Sequence, residues 1–489
     1  MEEKQVTRLI YADWLKLLPV LALAFYINFI PHLNYPFPVH VDEWVEMTLS
    51  QAILKAHHIT FTDPFLGNSL VTISSNLEAG FQIFLGSIQA VTGLSWEVIF
   101  RFFPAIIAVI SALSVYIIAR PYRFGWEAAL LTALIPTSVG VLGPAFLVPV
   151  ALGLVFIPLS LWAVFRLRGW LSYLLVFIYC TFLLAIHAPS AVFLVIILLP
   201  YLVMNLKGNF RQVAGVSIAL ALPFLVIFPW IFALLGPTAK SLLNPIAIQN
   251  LQGWSTYTYL PQIIPGYGYI PIGLCLAGVF ALYARGGKER LAIVLGLVML
   301  LAMLVAFYTF HYGVWILYLR GLVFVLLLIG LVAGAGLMAI KEIKIPAAGL
   351  RRLWPGGERY AGYLLCTLVV IILLAVTIPA LRDTIYYQMI DRQDAQAFAW
   401  IKANVGAGYP KAVLDPWEAT AFSALTGKYV YSKIHATVTG TDIQALDFLK
   451  NGCTDTAFLR SNNITLVYTH GPVQNPDLEE VRPGVYLLK

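Results

Sequence analysis

Charged residues are scarce in this sequence. Asp, Glu, Lys and Arg make up 11% of its 489 residues, whereas hydrophobic residues make up 60%. A soluble domain carries about 25% charged residues, so an ordinary soluble globular protein is excluded. Cysteine is scarce as well. Cys180, Cys275 and Cys366 lie in apolar segments and Cys453 stands alone, so no intrachain disulfide framework is implied.

Long apolar segments recur from Leu15 to Ala380. Each is about 17–25 residues long, which allows a helix to cross the hydrocarbon core of a bilayer. Helices are expected there because backbone polar groups must be satisfied internally. The sequence therefore predicts a mainly α protein, a polytopic membrane helix bundle of about eleven spans. The predicted spans are residues 15–33, 98–119, 128–145, 147–165, 171–188, 190–205, 213–235, 267–284, 291–309, 315–339 and 361–381.

The Lys and Arg residues indicate which connections face the cytoplasm. Nearly all of those in the membrane part lie at the N-terminus or in the even-numbered connections, whereas Lys55 and Lys240 lie in the opposite loops. This distribution predicts a multi-pass plasma membrane protein with a cytoplasmic N-terminus and an extracellular C-terminal domain. The cations lie in the connections between spans, where they anchor loops at the membrane lipid, and they do not form a patch. The net charge of +7 therefore does not predict a nucleic-acid partner.

The chain is predicted to form two domains. Residues 1–381 form the membrane domain, with a long first outer loop at residues 34–97 whose apolar segments suit helices on the membrane surface. After Arg382, acids and bases become frequent, and short helical and strand patterns alternate. Residues 382–489 are therefore predicted to form an extracytoplasmic α/β domain.

Acidic residues on the outer side of the membrane part are concentrated in the first loop. The densest group lies between His40 and Glu46 and includes Asp42 and Glu43. A carboxylate at the boundary of water and lipid is partly desolvated, which can raise its pKa towards that of a useful general base. Two interpretations remain open: Asp42 is the base of an enzyme, or it caps a surface helix whose first turn holds Glu43.

Several cations and histidines are candidates for binding a phosphate. Arg320 lies about one to two helical turns inside a predicted span, where an arginine is costly unless it is paired. The alternative is an arginine that reaches the interface or pairs with an acid for structure. Arg101 has the same two interpretations, with Glu97 as its structural partner. His187 and His311 stand at outer ends of predicted spans, as phosphate ligands or as ordinary interfacial histidines.

The architecture and the acidic pair Asp42-Glu43 together resemble the GT-C glycosyltransferases. In that superfamily an Asp or Glu of the first outer loop is the catalytic base or a metal ligand, and sugars linked to polyprenyl phosphate are the donors. The resemblance therefore implies that Asp42, with Glu43 as a second candidate, is the catalytic carboxylate. It also implies that Asp42 would hold a divalent metal, Mg or Mn, in an enzyme of this kind that uses one.

Within the superfamily the chain resembles a divergent oligosaccharyltransferase catalytic subunit of archaea and eukaryotes. The segments with the layout of that family's soluble domain are residues 397–402, 412–419 and 426–431. Residues 415–419 read Asp-Pro-Trp-Glu-Ala where the family has Trp-Trp-Asp-Tyr-Gly. This departure predicts a sugar transferase acting on another acceptor, in which Asp415 and Glu418 serve the soluble fold.

The resulting hypothesis is a membrane glycosyltransferase that moves a sugar from a polyprenyl-phosphate-linked donor to an acceptor on the outer face. Asp42 would deprotonate the acceptor hydroxyl, and Arg320 would stabilise the departing phosphate. The other substrate-binding candidates are Arg101, His40, His187 and His311. Two rival classes remain open: a lipid or sugar transporter, and a non-catalytic GT-C-like membrane scaffold.

Overall fold

A computed structural model describes residues 2–243, 267–310, 315–343 and 360–489, apart from residues 73, 74, 77, 139, 140, 385, 387, 436 and 437. The chain forms two compact units. The first unit comprises Met1–Leu33 with Phe102–Ile385, and the second comprises Asn34–Arg101 with Tyr386–Lys489. The first outer loop, which the sequence grouped with the membrane domain, therefore belongs to the same compact unit as the C-terminal residues.

The described part of the chain is mainly helical. The helices are α1 (Glu2–Phe29), α2 (Val41–Ala56), α3 (Ala79–Thr92), α4 (Trp96–Ala119), α5 (Gly125–Ala133), α6 (Pro149–Arg166), α7 (Trp170–Ile186), α8 (Ala188–Asn205), α9 (Phe210–Leu243), α10 (Tyr269–Ala284), α11 (Lys288–Phe310), α12 (Trp315–Lys341), α13 (Ala361–Arg382), α14 (Arg392–Asn404), α15 (Ala419–Thr426), α16 (Gly440–Lys450) and α17 (Thr456–Ser461). A helix is found at every predicted membrane span, because apolar runs of this length form helices wherever proline does not interrupt them.

Seven helical segments of the described residues are long and apolar enough to cross a membrane. They are Trp14–His32, Trp96–Tyr122, Pro149–Arg166, Ala188–Asn205, Lys288–Phe307, Arg320–Lys341 and Ala361–Arg382. The spans predicted at 171–188, 213–235 and 267–284 coincide with shorter apolar helical stretches. The chain is thus an integral membrane protein, as its composition predicts.

The span predicted at residues 128–145 is not a continuous helix. Helix α5 ends at Ala133, and the described residues from there to Val148 are not helical. Pro136 and Pro144 explain the interruption, because proline lacks the backbone N–H and its ring clashes with the preceding helical turn. The next helix then starts with Pro149 at a position that tolerates proline.

Helix α12 is the most buried of the seven candidate spans, because 89% of its apolar stretch is buried inside the protein. It packs closely against α10 through Gly278 and Gly336. A Cβ atom on either glycine would lie within about 2 Å of a carbonyl oxygen of the other helix. This close approach holds α12 firmly in the first unit, and Arg320 lies in its first turns.

The second unit contains a small mixed sheet, which confirms the predicted α/β architecture. Its strands are β3 (Lys411–Val413), β4 (Tyr429–Val430), β5 (Leu466–Tyr468), β6 (Leu478–Arg482) and β7 (Val485–Leu488), in the order β4-β3-β5-β7-β6. Strand β3 is parallel to both β4 and β5. Strand β7 is antiparallel to its two neighbours, β5 and β6. A short hairpin of β1 (Phe61–Thr62) and β2 (Leu70–Val71) belongs to the same unit. Helix α2 packs against both α3 and α15, which joins the first loop to the C-terminal residues.

Candidate active site

Helix α2 begins with a capping box that the sequence did not predict. His40 is the N-cap residue, and its Nδ1 accepts a hydrogen bond of 3.1 Å from the backbone N–H of Asp42. Glu43, at the third helical position, accepts hydrogen bonds from the backbone N–H groups of Val39 (2.8 Å) and His40 (3.1 Å) through Oε2. The reciprocal bonds satisfy donors that a helix start leaves unpaired.

This geometry separates the roles of the two adjacent acids. The alternative interpretation, that Asp42 caps α2, is wrong because His40 occupies the N-cap position. Glu43 is fully buried, and its carboxylate holds the turn before the helix. Asp42 is the second residue of the helix and does not form the cap.

The Asp42 carboxylate lies beside a histidine far away in the sequence. Its Oδ1 is 3.1 Å from Nε2 of His435, with 21% of the Asp42 side chain and 45% of the His435 side chain exposed. Because a carboxylate only accepts hydrogen bonds, the His435 Nε2 must carry the proton and donate it. Asp42 is therefore a half-buried carboxylate with one oxygen oriented by an imidazole, at the N-terminus of a surface helix.

His40 contacts Asp42 in a different way. Its Nδ1 lies 3.7 Å from Oδ2 of Asp42. That nitrogen already accepts the cap hydrogen bond from the Asp42 backbone, so it presents a lone pair and not a proton to the carboxylate. We conclude that His40 positions the start of α2 and contacts the second oxygen of Asp42 without an ion pair.

The segment that carries His435 is fixed to the first loop by contacts within the second unit. The backbone N–H of Val430 donates to the carbonyl of Phe65 at 2.7 Å, and the Lys433 ammonium lies 4.2 Å from the centre of the Phe65 ring. Gly67, at φ +69°, lies against Tyr429 so closely that a Cβ atom would be 2.9 Å from its ring. These contacts place the residues after β4 next to the start of α2.

A third acid of α2, Glu46, is buried one turn beyond Asp42. Its Oε2 accepts a 3.1 Å hydrogen bond from Gln82 of α3, and Gln82 is in turn bonded to Asn76. Burial, followed by the charge of Glu78, raises the pKa of Glu46 well above its ordinary value. Glu46 therefore joins α2 to α3 through its hydrogen bond with Gln82.

A separate cluster in the second unit combines two carboxyl groups with a histidine. Oδ1 of Asp394 accepts hydrogen bonds from the Tyr468 hydroxyl (2.6 Å) and from Nε2 of His470 (2.7 Å). Burial alone would raise the pKa of Asp394, but hydrogen bonds from the Asp391 backbone, Tyr468 and His470 lower it below its ordinary value. One ligand atom each from Asp394, Glu418 and His470 lies within 4.8 Å of the others.

These three residues could hold a metal ion, since carboxylate oxygen and imidazole nitrogen suit several divalent cations. Among the residues that the structure describes, this is the one group of three metal-compatible side chains, and it does not include Asp42. Asp415, in the same segment as Glu418, accepts a 3.0 Å hydrogen bond from the Trp417 backbone and so stabilises a turn. Sequence inspection missed the cluster because its members come from three separate elements.

Glu418 is expected to make stability depend on pH. Burial, and then the charges of Asp394 and Asp415, raise its pKa to about 8 from 4.5. A raised folded-state pKa favours folding when the group is protonated, so this contribution is complete below about pH 4.5 and is lost as the pH rises through about 8. Unfolding midpoints measured across this range should fall with pH, and Glu418→Gln should flatten the decline. The exposed Glu479→Gln is the matched control, and equal pH profiles for Glu418→Gln and the unmodified protein would contradict the assignment.

The first unit contains two of the predicted phosphate-binding residues. His187 is buried between α7 and α8, where its Nδ1 is 2.7 Å from the hydroxyl of Ser190. Arg320 is partly exposed in the first turns of α12, where its guanidinium can serve an anionic group.

The remaining candidates are placed differently. Arg101 is partly exposed near the start of α4, in the second unit. Both roles given to Arg101, phosphate binding and pairing with Glu97, stay predictions. His311 lies outside the described residues, and its role stays a prediction.

No protein-family model matches this sequence, and no curated protein matches it by sequence. Solved structures do match its fold. The archaeal oligosaccharyltransferase AglB from Archaeoglobus fulgidus, in complex with an inhibitory peptide and a dolichol-phosphate, is 12% identical with a TM-score of 0.62. The match covers 94% of this chain and 69% of that chain.

Two further solved structures also match the fold. ArnT from Cupriavidus metallidurans, bound to undecaprenyl phosphate, is 12% identical with a TM-score of 0.53, and the match covers 97% of this chain and 98% of that chain. The arabinofuranosyltransferase AftD from Mycobacteria is 14% identical with a TM-score of 0.57, over 96% of this chain and 40% of that chain. The chain therefore has the fold of the GT-C glycosyltransferases.

Proposed function

We propose that this protein is a glycosyltransferase that uses a polyprenyl-phosphate-linked sugar as its donor. The observation that carries the proposal is the Asp42 carboxylate, partly buried at the start of α2 and in contact with His435. Structures with the same fold are described in complex with dolichol-phosphate and with undecaprenyl phosphate. The acceptor is a hydroxyl-bearing molecule on the extracytoplasmic face.

The reaction we propose is an inverting displacement. An acceptor hydroxyl attacks the anomeric carbon of the sugar, and Asp42 takes the proton of that hydroxyl as the new C–O bond forms. The bond between the anomeric carbon and the phosphate oxygen breaks, and its electron pair leaves with the lipid phosphate. Arg320 stabilises the charge on the departing phosphate, with His187 beside it.

The Asp394, Glu418 and His470 group fits a divalent cation by its ligand types. A cation held there would offset the negative charge of the neighbouring carboxylates. In the proposed reaction Asp42 takes the proton and Arg320 stabilises the departing phosphate, so neither role depends on the ion.

Mass spectrometry of lipids that copurify with the protein tests the class directly. A polyprenyl phosphate carrying a sugar should be recovered, and incubation with that lipid and candidate acceptors should release the free lipid phosphate. Recovery of ordinary phospholipids alone, with no release of lipid phosphate from added donors, would contradict the proposal.

Replacement of Arg320 by Met should weaken donor binding. Methionine keeps an apolar stem but removes the cation, so the affinity for undecaprenyl or dolichyl phosphate should fall by about tenfold. The measurement is a binding titration with the lipid phosphate, and Lys207→Met, an exposed cation between α8 and α9, is the matched control. An unchanged affinity in a folded Arg320→Met protein would remove Arg320 from the site.

The orientation we propose has a cytoplasmic N-terminus and an extracellular second unit, following the distribution of Lys and Arg. The four native cysteines are buried, so an introduced cysteine can be labelled selectively. In intact cells, Asp447→Cys, at an exposed position of α16, should react with an impermeant thiol reagent, and Lys207→Cys should not. The reverse pattern would invert the orientation.

A further inference from the structure

A cavity of about 540 Å³ opens in the first unit where the loops at four helix ends meet. Its wall includes Tyr122 after α4, Arg166 at the end of α6, Asn205 at the end of α8, and the segment from Arg285 to Arg290 between α10 and α11. Each of these loops is an even-numbered connection in the predicted topology. The structure thus gathers at one cavity the loops that the charge distribution assigned to one face of the membrane.

The wall of this basic cavity is strongly positive. Its charged residues are Arg166, Arg168, Arg285, Lys288, Arg290 and a single acid, Glu289. Glu289 is already engaged, because it accepts a hydrogen bond from the Tyr122 hydroxyl and lies 3.8 Å from the Arg166 guanidinium. Arg285 forms an ion pair with Glu342, which is not part of the wall. These two acids leave three of the five cations without a neutralising carboxylate, so the cavity attracts anions.

Three of the cations have no carboxylate partner in the described structure. Arg168 and Lys288 make only long contacts to neutral oxygens, 3.4 Å to the Tyr201 hydroxyl and 3.5 Å to the Asn205 amide. Arg290 donates to the backbone carbonyls of Arg285 (2.8 Å) and Gly286 (3.1 Å). Hydrogen bonds of such length are weak, so Arg168 and Lys288 retain donors for another partner.

Two guanidinium nitrogen atoms have unsatisfied hydrogen-bonding capacity in the described structure. Nη1 of Arg285 and Nε of Arg290 are buried and have no hydrogen-bond acceptor among the residues that the structure describes. A buried N–H of a charged group without an acceptor is costly, and an anion in the cavity would supply the missing oxygen atoms. The guanidinium groups of Arg166 and Arg290 also lie over the ring of Tyr122, at 4.7 and 5.3 Å, which limits their motion.

The position of the cavity indicates which anion it meets. Tyr122, Arg166, Asn205 and Lys288 are terminal residues of candidate membrane spans, so the cavity lies at the level of lipid headgroups. A volume of this size is sufficient for a headgroup or a small soluble phosphate compound. We propose that the basic cavity binds a phosphate-bearing anion, with an anionic phospholipid headgroup or a soluble phosphate as its source.

The test uses the full-length protein in phosphatidylcholine nanodiscs, with and without phosphatidylglycerol, and separately with inorganic phosphate added. Binding is read from the unfolding midpoint and from lipid retained in native mass spectrometry. The double variant Arg168→Gln/Lys288→Gln removes two cations whose own hydrogen bonds are weak. The control Lys207→Gln/Arg211→Gln removes two exposed cations that do not line the cavity.

We expect phosphatidylglycerol or inorganic phosphate to raise the unfolding midpoint, and the cavity variant to bind that anion about tenfold or more weakly than the control. An effect of phosphatidylglycerol alone identifies the lipid as the source, and an effect of inorganic phosphate in pure phosphatidylcholine identifies a soluble compound. No effect of either anion, or equal losses in the cavity variant and its control, would overturn the proposal.

Discussion

Replacement of Asp42 by Asn is expected to lower the rate of sugar transfer by about a hundredfold or more, while the donor lipid still binds. Asparagine has nearly the same size and accepts the His435 hydrogen bond through its amide oxygen, but it cannot take a proton from an acceptor hydroxyl. The loss should therefore appear in kcat and leave KM for the donor almost unchanged. The measurement is release of lipid phosphate from a saturating donor.

Two comparisons make the result specific. Asp447→Asn makes the same change of charge at an exposed position of the second unit and should leave the rate intact. Asp42→Ala removes the contact with His435 and a helix-dipole interaction that contributes about 0.3–1 kcal/mol, but it leaves the cap of α2 intact because His40 forms it. Retained transfer in Asp42→Asn, or a large loss of stability in Asp42→Ala, would assign Asp42 a structural role.

The helices of the first unit were predictable because their position depends on local composition. An apolar run of sufficient length has one stable structure in lipid, and all the predicted spans except that at residues 128–145 coincide with a helix. The segment after α5 shows the limit of this reasoning. Its hydropathy continues to Val148, but Pro136 and Pro144 prevent the helix that hydropathy alone predicts.

The sequence did not reveal which two segments of the chain make up the second unit. Residues 34–101 and residues 386–489 belong to one compact unit although most of the chain separates them. Their union depends on packing of α2 against α15 and on single contacts such as that between Val430 and Phe65. Such pairings between distant segments carry no periodic signal in either segment.

Some residues of the candidate site could likewise be suggested from the sequence, and others could not. The sequence suggested Asp42 as a candidate because an acid between apolar segments is unusual on chemical grounds. The capping role of Glu43 had a partial signal, an acid three residues after a potential cap, but histidine is not among the usual cap residues. His435 had none, since it lies 393 positions from Asp42 in a segment without a motif.

His435 is a positioning residue in the proposed mechanism, and His435→Ala is expected to lower kcat by about ten- to a hundredfold. Alanine removes the donor 3.1 Å from Oδ1 of Asp42, so the carboxylate loses the contact that fixes its direction. His435→Gln is the informative partner, because its amide N–H₂ can donate from nearly the same place as the imidazole Nε2. We therefore expect His435→Gln to retain most of the activity.

The pair of variants separates positioning from proton transfer. A glutamine amide does not titrate, so rescue by His435→Gln means that His435 acts through the direction of the Asp42 carboxylate. The pH profile of kcat should then have the same shape in His435→Gln as in the unmodified protein. If His435→Gln is as slow as His435→Ala although both fold normally, His435 itself exchanges a proton during transfer and Asp42 acts as its partner. The unfolding midpoint of each variant shows whether that variant folds normally.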